Sequence, residues 1–183
     1  SDESRYVNGL WHLYVHHVSP RVLQADGQWV YPILLGILDD HSRLVCGHRW
    51  THAEDTIRLE GSLRSGMASR GIPKAVYLDN GSAMVSRQLL RACAVLGIRL
   101  IHSTVRRPEG RGKIERFWQT LKRRLATQPA DSLDTLQATL DTFREHYNTV
   151  RPHRALARHT PEFAYQLIPK AAPTTPDDPD LWR

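Results

Sequence analysis

The sequence is poor in cysteine and has no long apolar run, and each shortage excludes a class of protein. Only 2 of the 183 residues are cysteine, which is too few for the disulfide framework of a small secreted domain. Cys46 and Cys93 are therefore predicted to be free thiols of a reducing compartment, most simply the cytoplasm. The longest apolar run, residues 31–38, contains Pro32 and is too short to cross a membrane. The N-terminal residues lack the pattern of a signal peptide.

Lysine is also scarce, because arginine carries most of the positive charge: 21 of the 25 basic residues are Arg. The net charge is +6, and the planar arginine fork pairs well with phosphate oxygens. The excess is concentrated between Arg99 and Arg124, where nine basic residues stand against Glu109 and Glu115. This run is interpreted either as a solvated basic surface or as a nucleic-acid binding surface, and the charge alone leaves both open.

Hydrophobic residues make up 40% of the chain, and their spacing predicts an α/β domain with a mixed five-stranded sheet flanked by helices. Three strands with short connections come first, which is typical of an antiparallel meander. Helices then alternate with two further strands, and two more helices follow. The predicted ranges, in chain order, are strands 10–18, 29–38 and 44–50, helix 54–69, strand 75–78, helix 86–96, strand 98–102, and helices 113–127 and 132–147.

These elements divide the chain into four predicted segments. A flexible N-terminal segment, 1–9, precedes the α/β domain at 10–128, and a helical C-terminal extension occupies 129–168. Residues 169–183 are rich in proline and poor in core-forming residues, so we expect them to be disordered. Because the chain starts without methionine, we also expect it to be a fragment of a longer protein.

Two carboxylates far apart in the sequence are the candidate chemical groups. Asp79 ends a predicted strand and precedes Asn80-Gly81, so we expect it at a sheet edge, where α/β folds place ligands. Glu115 lies in the first turn of the helix predicted after a Gly-rich basic loop. Considered alone, an Asp in the position of Asp79 is more often a turn residue, and a Glu in the position of Glu115 is more often a favourable partner of the helix dipole. Together they offer the hard oxygen ligands that Mg²⁺ takes alongside substrate phosphate oxygens.

Several short motifs occur between residues 10 and 167 in the order and spacing of one known family. They are Trp11, Leu38-Asp39-Asp40-His41-Ser42-Arg43, Gly71-Ile72-Pro73, Leu78-Asp79-Asn80-Gly81-Ser82, Leu96-Gly97-Ile98, the run from Pro108 to Phe117, Tyr147-Asn148, Arg151-Pro152-His153, Leu156 and Thr160-Pro161. On these motifs the chain resembles the catalytic cores of DDE transposases and retroviral-type integrases, and bacterial insertion-sequence transposases in particular.

The resemblance implies a ribonuclease H-like fold and DNA strand cleavage and transfer with Mg²⁺ or Mn²⁺, two ions being used in an intact relative. It implies DNA as the partner, a homo-oligomer, the bacterial cytoplasm, and neither a membrane nor a small-molecule cofactor. Asp79 and Glu115 match the second and third acidic metal ligands, and are the implied catalytic residues. The implied DNA-binding residues are Arg106, Arg107, Arg111, Lys113, Arg116, Gln119, Lys122 and Arg123.

One position departs from the family pattern. Three residues after the tryptophan, the family's first Asp is replaced by Tyr14, whose neutral phenol is a poor ligand for Mg²⁺. His12 and His16 lie on the same side of the predicted strand, but about 13 Å apart along it, so both cannot hold one ion. Asp39 and Asp40, at the end of the next strand, are weighed as substitutes, although the family pattern makes them turn residues.

Three functions remain open at this level. The first is a transposase core whose two-metal chemistry is impaired by Tyr14. The second is a catalytically dead DNA-binding or multimerising module derived from a transposase, through decay of the copy or an engineered change. The third is a structure-selective nuclease with the same fold.

Overall fold

The computed structural model describes most of the chain, and its helices and strands surround one central sheet. The described ranges are 6–17, 21–51, 56–79, 86–103, 108–127 and 131–167. The elements are β1 (Trp11–His17), β2 (Val22–Leu23), β3 (Trp29–Val30), β4 (Ile33–Asp39), β5 (Val45–Thr51), α1 (Thr56–Arg70), β6 (Ala75–Asp79), α2 (Arg87–Leu96), β7 (Arg99–Ser103), α3 (Pro108–Thr127), α4 (Leu133–Thr149), a short 3-10 helix (Arg154–Leu156) and α5 (Pro161–Leu167).

The central sheet has five strands in the order β5-β4-β1-β6-β7, which confirms the predicted mixed sheet. β4 pairs antiparallel with β1 on one side and with β5 on the other, and only β4 and β5 are joined by a short turn. β6 pairs parallel with β1 and with β7, and the helices α1 and α2 provide the longer connections that parallel pairing requires.

Both sides of the sheet are covered. Trp11 and Leu13 of β1 pack into one apolar cluster with residues of α1 and α2, whereas Tyr14 packs into a second cluster with residues of α3 and α4. Every residue of β4 is buried, as expected for a strand between two such layers. Among the described residues, no helix is long and apolar enough to span a membrane.

Two predicted boundaries are corrected. The strand predicted over 29–38 is divided into β3 and β4, because Pro32 has no backbone N–H to give to a sheet ladder. β3 pairs instead with β2 in a separate hairpin. The helix predicted to start at Lys113 begins at Pro108, so the expected Gly-rich loop ends earlier and residues 108–112 are helical. Proline is well suited to a first helical turn, where its missing N–H leaves no bond unmade.

The residues before β1 belong to the packed structure, although they fall in the segment predicted to be flexible. Val7 is fully buried, and the Asn8 backbone N–H donates to Asp39 Oδ1 at 2.8 Å. The Asn8 side chain donates to the carbonyl of Arg70 and to the Tyr165 hydroxyl, which joins this segment to α1 and α5. Residues 1–5 and the predicted disordered tail at 169–183 lie outside the described ranges.

Candidate active site

Tyr14 and Asp79 belong to neighbouring strands of the sheet, and helix α3 covers the side that Tyr14 faces. β1 and β6 run parallel with Leu13 opposite Leu78, so Tyr14 and Asp79 are the next residues along two neighbouring strands. Asp79 is the last residue of β6 and pairs with Ser103 of β7. Its side chain lies outside the described part of the structure.

Helix α3 carries Glu115 to the same side, because the apolar face of the helix packs under the sheet. Ile114, Phe117 and Leu121 are buried as predicted, and the ring of Phe117 meets that of Tyr14 edge-on at 5.7 Å between centroids. Glu115 lies on the solvent-exposed side of this helix. That these three positions form one site stays a prediction from the family resemblance.

Tyr14 is buried, with only 4% of its surface exposed. Its hydroxyl has no hydrogen-bond partner among the described residues. Burial raises the pKa of Tyr14 well above its ordinary value, and the neighbouring Tyr147 raises it further. The side chain is consequently a neutral phenol in an apolar cluster, without the negative oxygen that a bridging metal ligand supplies.

The residues present do not fit a pair of ions bridged by a carboxylate on β1. The position that would bridge them is Tyr14, whose buried phenol is neutral and supplies no negative oxygen. Two-metal chemistry needs both ions beside the reacting phosphate. Tyr14 therefore offers no carboxylate at the position where the family resemblance implies the first metal ligand.

The side of β1 that carries His12, Tyr14 and His16 is packed against neighbouring side chains, although the polar residues there would suggest an exposed surface. His12 is 4% exposed, and the ring of His16 stacks on Trp118 with centroids 4.6 Å apart. Sequence periodicity missed this burial, because histidine and tyrosine are scored as polar although their rings pack well against aromatic neighbours.

A buried ion pair beside Tyr14 was also missed. Asp40 Oδ1 lies 2.8 Å from His12 Nε2 and accepts a hydrogen bond from Lys113 Nζ, also at 2.8 Å. Both Asp40 and His12 are almost fully buried. Asp40, considered above as a substitute metal ligand, is thus paired with a cation. Lys113, an expected DNA contact, is the cation of that pair.

Asp39 has a structural part in the turn after β4. Its carboxylate accepts hydrogen bonds from the backbone of Asn8 and from both the backbone and the hydroxyl of Ser42. Burial is the largest cause of its raised pKa, although these hydrogen bonds act in the opposite direction. A carboxylate that is fully buried and used in this way is a turn residue, as the family pattern predicts.

The predicted DNA-binding residues are partly described. Arg116, Gln119, Lys122 and Arg123 are exposed on α3, whereas the side chain of Arg111 lies outside the described part. Arg106 and Arg107 lie outside the described residues altogether. The exposed residues form a basic surface on α3, next to Glu115.

The sequence of this chain matches known integrase core domains and transposases. Two family models, each described as an integrase core domain, match residues 7–108 and 96–161. The transposase for transposon Tn552 of Staphylococcus aureus is 31% identical over 135 residues, which cover 69% of this chain. This chain spans 28% of the length of that relative.

Solved structures with the same fold include two of retroviral origin. The magnesium complex of the HTLV-2 integrase catalytic core domain, in a dimeric form, has a TM-score of 0.68 and 17% identity over 88% of this chain and 98% of its own. The simian T-cell lymphotropic virus intasome, in complex with PP2A regulatory subunit B56 gamma, has a TM-score of 0.71 and 22% identity over 96% of this chain and 62% of its own. The predicted ribonuclease H-like fold of integrase catalytic cores is confirmed.

Proposed function

The chain belongs to the integrase core domain family, and from this we propose that it is the DNA-binding core of a transposase in which Tyr14 severely impairs metal-dependent cleavage and strand transfer. The observation that carries the proposal is the burial of Tyr14 as a neutral phenol at the position of the first metal ligand. A family core without that carboxylate keeps its fold and its basic surface but loses a charge that two-metal chemistry requires.

Asp79 and Glu115 are the proposed ligands of a divalent ion, Mg²⁺ or Mn²⁺, in what remains of the site. Such an ion, when bound, polarises a phosphoryl oxygen and neutralises charge on it. Tyr14 contributes no proton acceptor at neutral pH, because its pKa is raised. Asp39 and Asp40 do not replace the missing acid in this proposal, since both are buried and already hydrogen-bonded.

DNA is the proposed partner, bound through the exposed basic surface of α3. Lys and Arg side chains that neutralise backbone phosphates release counterions, so binding should weaken steeply with salt. Arg106, Arg107 and Arg111 are proposed to extend this surface, together with the described residues Arg116 and Lys122. We also propose a homo-oligomer in the bacterial cytoplasm, because the chain is similar to an integrase core solved in a dimeric form and to bacterial transposases.

A catalytically dead module that only binds DNA or multimerises is the second candidate. The packing of Tyr14 favours it, because the ring is buried in an apolar cluster against Phe117, where a charged metal ligand would have to be desolvated. The two candidates differ only in residual turnover, so one experiment separates them.

The experiment compares the parent chain with Asp79→Asn, with Tyr14→Asp and with Tyr14→Asp/Asp79→Asn, on a duplex that carries the terminal sequence of the encoding element, in Mg²⁺ and in Mn²⁺. We expect cleavage and strand transfer by Tyr14→Asp to exceed those of the parent by at least roughly 100-fold, since a metal site supplies several kcal/mol of transition-state stabilisation. The double variant should lose this gain, which serves as the control for metal dependence.

Detectable parent activity that Asp79→Asn abolishes would identify an impaired enzyme, whereas activity only after Tyr14→Asp would identify a dead copy. Parent activity equal to that of Tyr14→Asp would overturn the proposal. Thermal unfolding of each variant checks that a lack of activity does not reflect a lack of folding.

A further inference from the structure

A groove lined by cationic side chains lies between α3 and the chain that follows α4. It consists of two adjoining depressions of about 380 and 320 Å³, which share Tyr147 and His153 at their base. The cationic residues that line this arginine groove are Arg43, Lys113, Arg116, Arg123, Arg151 and Arg154.

The charge of the arginine groove is not balanced by its own walls. Among the described residues that line it there is no Asp or Glu. Lys113 is paired with Asp40, but Arg116, Arg151 and Arg154 have no ion-pair partner within the described ranges. Clustered like charges repel one another, so the groove has a strong preference for an anion.

Besides these arginines, a histidine at the base of the groove has a ring nitrogen without a hydrogen-bond partner. His153 Nε2 is enclosed and makes no hydrogen bond to any described residue. The ring is held edge-on against Tyr147 at 4.6 Å between centroids, and it hydrogen-bonds to the Tyr147 backbone. Buried polar atoms are rarely left without a hydrogen bond, so Nε2 indicates that the base of the groove can take a further polar group.

Backbone hydrogen bonds fix the segment that presents these residues. His153 N–H donates to the carbonyl of His159 at 3.0 Å, and Arg158 N–H returns a bond to the His153 carbonyl at 2.8 Å. The short 3-10 helix at Arg154–Leu156 lies inside this loop, which closes with left-handed backbone at Ala157 and Arg158. The groove is therefore built into the fold.

We propose that the arginine groove binds a backbone phosphate of DNA, so that a strand bound along α3 continues over the chain after α4. This inference rests on the proposed DNA-binding function and names a second contact site for it. Guanidinium forks hold phosphate oxygens in bidentate pairs, which suits Arg151 and Arg154 on one wall and Arg116 on the other. A DNA strand is favoured over a free anion because Arg116 and Arg123 belong both to the groove and to the exposed surface of α3.

The test uses the full chain and measures affinity for a fluorescently labelled duplex over a range of salt concentrations. Arg151→Gln/Arg154→Gln should weaken binding about tenfold and reduce the slope of log affinity against log salt by about 1 to 2, one per lost phosphate contact. Arg87→Gln/Arg91→Gln is the matched control, because it removes the same charge from exposed positions of α2 on the other side of the sheet. The control should change affinity much less.

Arg154→Glu, at an exposed position, keeps the test valid if the double variant folds poorly, and it should weaken binding at least as much. Equal losses in the groove and control variants, or no loss in either, would overturn the inference. Free phosphate is the second arm: if inorganic phosphate shifts the His153 NMR signal while the groove variants keep full DNA affinity, the groove is a small-anion site and the inference is wrong. A parent chain that does not bind DNA at all would instead reject the proposed function.

Discussion

Tyr14 on β1 and Gly36 on β4 lie directly opposite each other. The Tyr14 ring occupies the space that a side chain at position 36 would need. A Cβ atom built on Gly36 would stand 2.2 Å from the Tyr14 ring carbon Cζ. The aromatic ring thus covers the backbone of a glycine on the neighbouring strand, a pairing that protects glycine in sheets. Because the ring of Phe117 also packs edge-on against the Tyr14 ring, the tyrosine has little room to move away from Gly36.

This contact predicts strong coupling between the two positions. Gly36→Ala should destabilise the parent by about 1 to 3 kcal/mol, since it overpacks the core against the Tyr14 ring. In a Tyr14→Asp background the same change should be neutral or stabilising by up to about 1 kcal/mol, because alanine is preferred over glycine in a strand. Urea unfolding of the parent, the two single variants and the double variant gives the coupling energy. The same effect of Gly36→Ala in both backgrounds would show that the ring does not occupy this space.

At the scale of elements, α4 docks on the edge strand β5 through polar groups that the sequence pattern does not reveal. Asn148 accepts from the backbone N–H of Val45 and donates to its carbonyl, and Gln137 accepts from the backbone N–H of Trp50. These side chains satisfy strand groups that have no further strand beside them. Asn148 stands in a recognised motif, but its partner is 103 residues away and only the fold identifies it.

A histidine at this helix–strand contact predicts an acid-sensitive interface. His48 Nε2 lies 2.5 Å from Asp141 Oδ1, and Arg144 lies beside His48 Nδ1. Burial lowers the pKa of His48; Arg144 also lowers it, and Asp141 opposes them. A lowered histidine pKa means that the unfolded state binds the proton first, so stability falls as the pH drops below about 6.5.

We therefore expect the urea midpoint of the parent to fall between pH 7 and pH 5 more steeply than that of His48→Gln, which cannot titrate there but still donates to Asp141. Comparing the two chains cancels the contributions of the other histidines. His146→Gln, on the last turn of α4, serves as a control that removes an imidazole elsewhere. If His48→Gln and the parent lose stability in parallel, the contact does not govern the acid response.

The elements that the sequence predicts well are those with regular apolar spacing. The stripe of Ile114, Phe117 and Leu121 identifies the buried side of α3, and Ser132 caps α4 where the predicted helix begins. The predictions fail where a local signal competes with the fold. Pro32 interrupts an apolar run that reads as one strand, and residues 108–112 are helical although their two glycines favour a loop.

At the scale of the whole molecule, the candidate site depends on which layers meet, and periodicity along the chain does not contain that information. The residue types alone suggest Asp79 and Glu115, the family resemblance adds Tyr14, and only the alignment of β1 with β6 places Tyr14 and Asp79 on neighbouring strands. The arginine groove is not predicted, because Arg43 and Arg154 are far apart in the chain and neither belongs to the basic run.

Asn8 joins three distant parts of the molecule, so its side chain should affect them together. Its amide donates to the Arg70 carbonyl and to the Tyr165 hydroxyl, and its carbonyl oxygen accepts from the Trp11 indole. Asn8 has a left-handed backbone with φ of 61°, which glycine also tolerates. Asn8→Gly therefore removes the side-chain contacts without adding backbone strain.

We expect Asn8→Gly to lower the free energy of unfolding by about 1 to 3 kcal/mol for each buried partner left unsatisfied. We also expect it to loosen both α5 and the segment before β1. Hydrogen exchange should show faster exchange of the α5 amides together with those of residues 6–9, because Tyr165 loses one of the bonds that hold α5 on the core. Gln166→Ala, at an exposed position of α5, should leave both regions protected. Faster exchange confined to residues 6–9 would mean that α5 is held by its apolar contacts alone, and that Asn8 fixes only the entry into β1.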